Sequence, residues 1–163
     1  MKYNFNGFTS KANEALNSAI SSAEQLGHTY VGSEHLLLGL LRIGSGVAAA
    51  VLNKNGITAD NIEELMRSNI GCGTPTRLSP DYFTPRAKRV IETAMAGCAN
   101  MGKKYVGTEH ILIGILSEGD NYAIRFINEL GVDTAALTTE ALKASGIDPS
   151  EAVGGVQPQT GKQ

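Results

Sequence analysis

The sequence predicts an all-α fold, two tandem four-helix repeats packed on each other with pseudo-twofold symmetry. Three observations carry that reading. The stretch "YVGSEHLLLGLL" (Tyr30 to Leu41) returns as "YVGTEHILIGIL" (Tyr105 to Leu116), exchanging only hydroxyl for hydroxyl and aliphatic for aliphatic. A shift of 75 positions lays Phe8 on Phe83 and aligns the two halves without a gap from there onward. Within each half, apolar residues recur at three- and four-residue steps, the period of an amphipathic helix. Such self-similarity marks one supersecondary unit built twice, and two copies are too few for an open solenoid.

Each element follows from local signals. Residues 1–7 form a lead-in. The first repeat, 8–70, opens with Phe8, Ala12, Leu16, Ala19, Ala23 and Leu26 as one helical stripe, capped by Thr9 and closed by Gly27. Its second helix is expected to start from Ser33 as N-cap and to stop near Gly44. "HLLLGLL" is apolar nearly all round, which places that helix at the buried centre. Gly39 inside it costs roughly 1 kcal/mol of helix propensity and predicts a close helix crossing. A third helix ends at Gly56 and a fourth begins at Thr58.

Residues 71–82, "GCGTPTRLSPDY", have the Gly, Pro and Ser density of a linker. The second repeat, 83–145, restates the first: Thr84 caps, Pro85 takes the favoured first helical position, and Gly102 closes the helix. Thr108 stands for Ser33, Gly114 for Gly39, Gly131 for Gly56 and Asp133 for Thr58. Over 146–163 periodicity and hydrophobicity fade together, and this stretch is expected to be a flexible tail leading towards a further module.

Composition narrows the function. A net charge of −2 with scattered Lys and Arg lacks the basic stripe that a nucleic-acid backbone requires. No apolar run approaches the ~18 residues of a membrane span, and "MKYNFNGF" lacks a signal peptide's apolar core, so a cytoplasmic location is expected. Cys72 and Cys98 have no zinc-like spacing, and Cys98 reads as a small core residue. "GVQPQTGKQ" fails as a phosphate loop, because five residues separate Gly155 from Gly161 and Gln163 stands where Ser or Thr would ligate magnesium. No catalytic residues, metal ligands or cofactor site are assigned to this segment.

The paired "EH" invites a metal or acid–base reading, but adjacent helical residues point about 100° apart and cannot grip one ion together. His35 and His110 are expected to hydrogen-bond in the core or between repeats, and His28, replaced by Lys103, is given no symmetrical role. Glu34 and Glu109 complement a helix macrodipole, worth roughly 0.3–1 kcal/mol. They also suggest a composite site. A first helix's N-terminus with its Thr hydroxyl cradles an anion, and the second helix's Glu meets a guanidinium. A ligand with both charges, such as phosphoarginine, suits Thr9 with Glu34 in the first repeat and Thr84 with Glu109 in the second.

The "FT-x-x-A" opening, "G-x-x-YVG[ST]EH-[LI]-L-[LI]-G-[LI]-L" and the second start "FTPRAK" resemble the N-terminal domain of Clp-family AAA+ unfoldases, ClpC in particular. The likeness runs from Phe8 to about Ser145. It implies a compact domain of two four-helix repeats on a hexameric, ATP- and magnesium-dependent ring. Such domains capture substrates and adaptors of the MecA or McsB kind for delivery to a ClpP protease, and recognise phosphoarginine through residues matching Thr9, Glu34, Thr84 and Glu109. A further peptide or adaptor surface would fall at Phe5, Phe83 and Lys88. The turn after the second helix departs from the family's "REGEGVAA": it reads "RIGSGVAA" in one copy and "SEGDNYAIRF" in the other. A freestanding two-repeat protein that binds a peptide or ligand and regulates a partner remains an alternative reading.

Overall fold

The computed structural model describes residues 2–145, and all the longer elements are helices. The first repeat contains α1 (Ser10–Leu26), α2 (Ser33–Arg42), α3 (Val47–Lys54) and α4 (Ala59–Asn69). A short 3-10 turn at Pro80–Tyr82 precedes α5 (Pro85–Asn100), α6 (Thr108–Ser117), α7 (Tyr122–Glu129) and α8 (Thr134–Ala144). The sequence-predicted tail at 146–163 lies outside the described residues.

The caps explain the boundaries. The Thr9 hydroxyl accepts from Ala12 N–H at 3.1 Å, and the Thr84 hydroxyl from Ala87 N–H at 3.0 Å. Gly27 ends α1 with φ 74°, a left-handed conformation that suits a residue without a Cβ. The second helices differ from expectation. Their N-caps are Gly32 and Gly107, while Ser33 and Thr108 are the first helical residues. The imidazole explains the shift: Gly32 N–H donates to His35 Nδ1 at 2.9 Å, and Gly107 N–H to His110 Nδ1 at 2.9 Å. Each histidine, three residues into the helix, does what Glu or Gln does in a capping box.

In each repeat the first two helices form an antiparallel hairpin, and α2 is buried on every side except at Arg42. A Cβ on Gly39 would lie 2.8 Å from the Ala19 backbone nitrogen, and one on Gly114 2.6 Å from the Val90 carbonyl oxygen. Backbones therefore touch where the hairpin helices cross. One continuous core joins both repeats, including Leu16, Leu37, Leu38 and Met66 from the first and Ile111, Leu112 and Ile115 from the second. At about 1.5–3 kcal/mol per fully buried aliphatic side chain, this core dominates the favourable side of folding.

The repeats are joined by two short parallel bridges that exchange equivalent partners, Phe8 with Val106 and Val31 with Phe83. Thr9 N–H donates to Val106 O at 2.9 Å, and Thr84 N–H donates to Val31 O at 3.0 Å. Each first helix thus starts beside the strand-like entry to the other repeat's central helix. The lead-in and the 71–82 segment both lie along α1: Tyr3 N–H donates to Asn17 Oδ1 at 2.7 Å, and Leu78 N–H to Glu24 Oε2 at 2.8 Å.

Candidate functional site

The antiparallel hairpin decides which threonine meets which glutamate. His28, just past α1, hydrogen-bonds to His35 on α2, so the start of α2 lies at the C-terminal end of α1. At 17 residues, α1 puts Thr9 and Glu34 on the order of 20 Å apart. The same geometry separates Thr84 from Glu109 along α5. The bridges make different pairs: Thr84 is bonded to Val31, three residues before Glu34, and Thr9 to Val106, three residues before Glu109. The within-repeat pairing expected from the sequence is therefore replaced by two cross-repeat pairings, Thr84 with Glu34 and Thr9 with Glu109.

Both carboxylates fold back over the glycine that precedes their helix. A Cβ on Gly32 or on Gly107 would collide with a carboxylate oxygen of Glu34 or Glu109 respectively. A side chain at either glycine of "YVG[ST]EH" would have to push the carboxylate out of this position. Three residues before each carboxylate the chain is bonded to the other repeat's helix N-terminus, which carries a Thr hydroxyl and backbone N–H left free by the helix, at Ser10 and Lys11 in one and at Arg86 in the other. The Thr hydroxyl oxygen accepts from within its own helix and keeps its proton available to an outside acceptor. The two ends are not identical, since Pro85 has no N–H where Ser10 has one.

The surroundings differ more. Glu34 is 2% exposed, and the Tyr30 hydroxyl donates to its Oε2 at 3.0 Å. Burial raises the Glu34 carboxyl above its ordinary value, opposed by its own amide and by Tyr30. Burial, and then the Glu34 charge, raises the Tyr30 hydroxyl too. Glu109 is only partly buried, and Tyr105 is 52% exposed.

Behind Glu34 runs a chain of hydrogen bonds whose tautomers are fixed by its ends. Gly32 N–H occupies His35 Nδ1, so His35 Nε2 carries the proton and donates to His28 Nδ1 at 2.7 Å. His28 Nε2–H then donates to Gly71 O at 2.8 Å. Burial is the main cause that holds His35 down to about 3. His110 is lowered as well, mainly by burial. With Lys103 in place of His28, its Nε2 is buried without a partner.

Sequence reasoning missed His28 because the residue is not repeated. The signal was its position one residue after the helix-ending Gly27 and seven before His35, within reach of the next helix's first turn. The other expected residues are placed plainly. Phe5 is half-buried, with its ring centroid 6.3 Å from that of Phe83; Phe83 is 8% exposed and Lys88 is exposed. Cys98 is buried and Cys72 exposed. Among the described residues, no group of three His, Cys, Asp or Glu side chains is placed to hold a metal ion.

These features define a class: a duplicated helical domain whose two equivalent polar sites are each assembled from both repeats. The Clp repeat (R) N-terminal domain family matches residues 7–130, and the chain belongs to that family. It is 42% identical over 142 residues to the negative regulator of genetic competence ClpC/MecB of Bacillus subtilis, covering 87% of this chain and 17% of that protein. It is 40% identical over 159 residues to the chaperone protein ClpB of Oceanobacillus iheyensis, covering 98% and 19% respectively. The chain thus spans less than a fifth of the length of these relatives. Among solved structures, the N-terminal domain of the chaperone ClpD from Arabidopsis thaliana matches with a TM-score of 0.71 and 28% identity, over 88% of this chain and 97% of that one. The ClpV N-domain in complex with a VipB peptide shares the fold, with a TM-score of 0.60 and 19% identity over 86% of this chain and 89% of that one.

Proposed function

We propose that this chain is the substrate- and adaptor-recognition domain of an ATP-dependent Clp unfoldase, and that it reads phosphoarginine on proteins bound for a ClpP-type protease in the cytoplasm. The observation that carries the reading is the pair of crossed bridges. Each sets a helix N-terminus with its Thr hydroxyl beside a helix that is led by a carboxylate. A phosphoryl group is an anion for the amides and hydroxyl, and a guanidinium offers two parallel N–H donors to the carboxylate. Arginine phosphate carries both groups on one side chain. Adaptors of the MecA or McsB kind would bring such substrates, and ATP with magnesium would act in ATPase modules of a longer protein. The family match and the long relatives named ClpC and ClpB support this role, as does a peptide complex of a protein with the same fold.

Calorimetric titration with free phosphoarginine, against arginine and phosphoserine, tests the reading. Selective binding that Glu34→Ala and Glu109→Ala each reduce, and that their combination abolishes, is the expected result. Absence of binding, or equal binding of the controls, would overturn the mark-reading function.

A further inference from the structure

Beyond the amide that Pro85 lacks, the two recognition sites differ in a contact beside the carboxylate that can be traced to one residue. In the first repeat the His28 ring is held by His35 on one side and by the Gly71 carbonyl on the other. The Tyr30 ring stacks on it, centroids 5.8 Å apart and 6° from parallel. So seated, Tyr30 directs its hydroxyl to Glu34 Oε2, and the carboxylate is 2% exposed. In the second repeat Lys103 takes the place of His28 and is exposed. There is no imidazole for Tyr105 to stack on; its ring is 52% exposed and lies 5.8 Å from the Lys104 amine. Among the described residues no hydrogen bond joins Tyr105 to Glu109. The unpartnered His110 Nε2 marks the place that His28 fills in the first repeat.

Resting on the recognition reading above, we propose that Tyr30, seated by His28, is a latch that occupies the Glu34 carboxylate, so that the Glu109–Thr9 site is open and fills first while the Glu34–Thr84 site fills only when a ligand displaces the tyrosine hydroxyl. A guanidinium needs both carboxylate oxygens for a paired contact, and in the first repeat one of them is taken. Breaking a hydrogen bond to a charged acceptor before binding weakens the latched site about tenfold or more. The domain then responds to mark density: a singly marked protein engages the open site, and a second mark on the same protein opens the latched one by proximity. His28 and Tyr30 are positioning residues on this account.

Single-site variants isolate the sites. Glu34→Ala retains the open site and Glu109→Ala the latched one, and phosphoarginine should bind the former about tenfold or more tightly than the latter. Adding Tyr30→Phe to Glu109→Ala should recover most of that difference. Adding Lys103→His to Glu34→Ala should weaken the open site by supplying the missing stacking platform, and Lys103 is a surface position that tolerates exchange. Equal affinities for the two single variants, or further weakening by Tyr30→Phe, would overturn the latch while leaving the recognition reading intact. If no variant binds phosphoarginine, the recognition reading fails, and tyrosine nitration by tetranitromethane with mass mapping decides the contact itself. The latch requires slow labelling of Tyr30, rapid labelling of Tyr105, and protection of Tyr105 by Lys103→His. Equal labelling of Tyr30 and Tyr105 refutes it.

Discussion

Laid on each other, the two repeats share their helices, caps and glycine crossings, yet the first is enclosed and the second is open. On α1, eight of 17 residues are buried, including Ser22, whereas α5 buries four of 16 and leaves Met95 49% exposed. The sequences of the two stripes do not account for this. The lead-in and the 71–82 segment do, because both bond along α1: Gly73 N–H reaches Leu26 O at 2.9 Å and Thr76 N–H reaches Glu24 O at 3.2 Å. Duplication copied the helices, and the connecting segments then made their surroundings unequal. A motif repeated almost letter for letter can therefore hold a covered carboxylate in one copy and a partly exposed one in the other.

The largest test of that difference is a core truncation at matched positions. Leu38 is fully buried, and its counterpart Ile113 is only partly so. Leu38→Ala should cost about 2–5 kcal/mol, set by lost burial plus the cavity left behind. Ile113→Ala should cost distinctly less, because its side chain is already partly exposed to water and less burial is lost. Urea unfolding of the two variants measures both, and equal losses would mean that the second repeat is packed as tightly as the first.

Much of this architecture was legible in the sequence. Thr9, Thr84, Gly27, Gly39 and Gly114 act where helix-end chemistry and crossing geometry placed them, because those roles depend on a residue and its near neighbours. What was misread depended on distance. Pairing Thr9 with Glu34 followed the order of the motifs along the chain and ignored that a 17-residue helix stands between its two ends. An antiparallel hairpin follows from the short stretch between Leu26 and Ser33, and it excludes that pairing. Residue type alone makes Ser33 and Thr108 N-cap candidates. The structure gives that position to Gly because the carboxylate folds back over it and the histidine at the third helical residue supplies the bond. The exchange of His28 for Lys103 was visible, but its consequence was not, since the partner of His28 is a carbonyl 43 residues away.

The histidine pair gives the second test, of intermediate size. Folded His35 is neutral down to about 3, whereas in the unfolded chain it titrates near 6.5. Between those values the unfolded state binds more protons, so stability must fall as pH falls. One proton of difference gives about 1.4 kcal/mol per pH unit, or about 2 kcal/mol between neutrality and pH 5. His35→Gln should flatten the measured slope of unfolding free energy against pH. His110→Gln should flatten it less, since His110 lies in the more open repeat. A steeper residual slope in His35→Gln than in His110→Gln would reverse the comparison.

The smallest test concerns a bond that one repeat borrows from the other. The N-cap of α3 is Gly46, with φ 97° and ψ 169°, a conformation essentially reserved to glycine. Having no side chain, it cannot cap, and the Thr108 hydroxyl of the second repeat accepts from Ala48 N–H at 3.3 Å instead. The matching helix α7 has no such need, because Asn121 in an extended conformation accepts from Ile124 N–H at 2.9 Å. The same helix start is thus capped across the interface in one repeat and from within in the other. Thr108→Val keeps the shape and removes the acceptor, so it should cost about 1 kcal/mol. Ser33→Ala, at the equivalent position in the first repeat, should cost less than half of that, since Asn121 already caps α7. Thermal melts of the two variants are enough to read the difference. Equal shifts would mean that the contact between Thr108 and α3 adds nothing to holding the repeats together, leaving that work to the core and the two bridges.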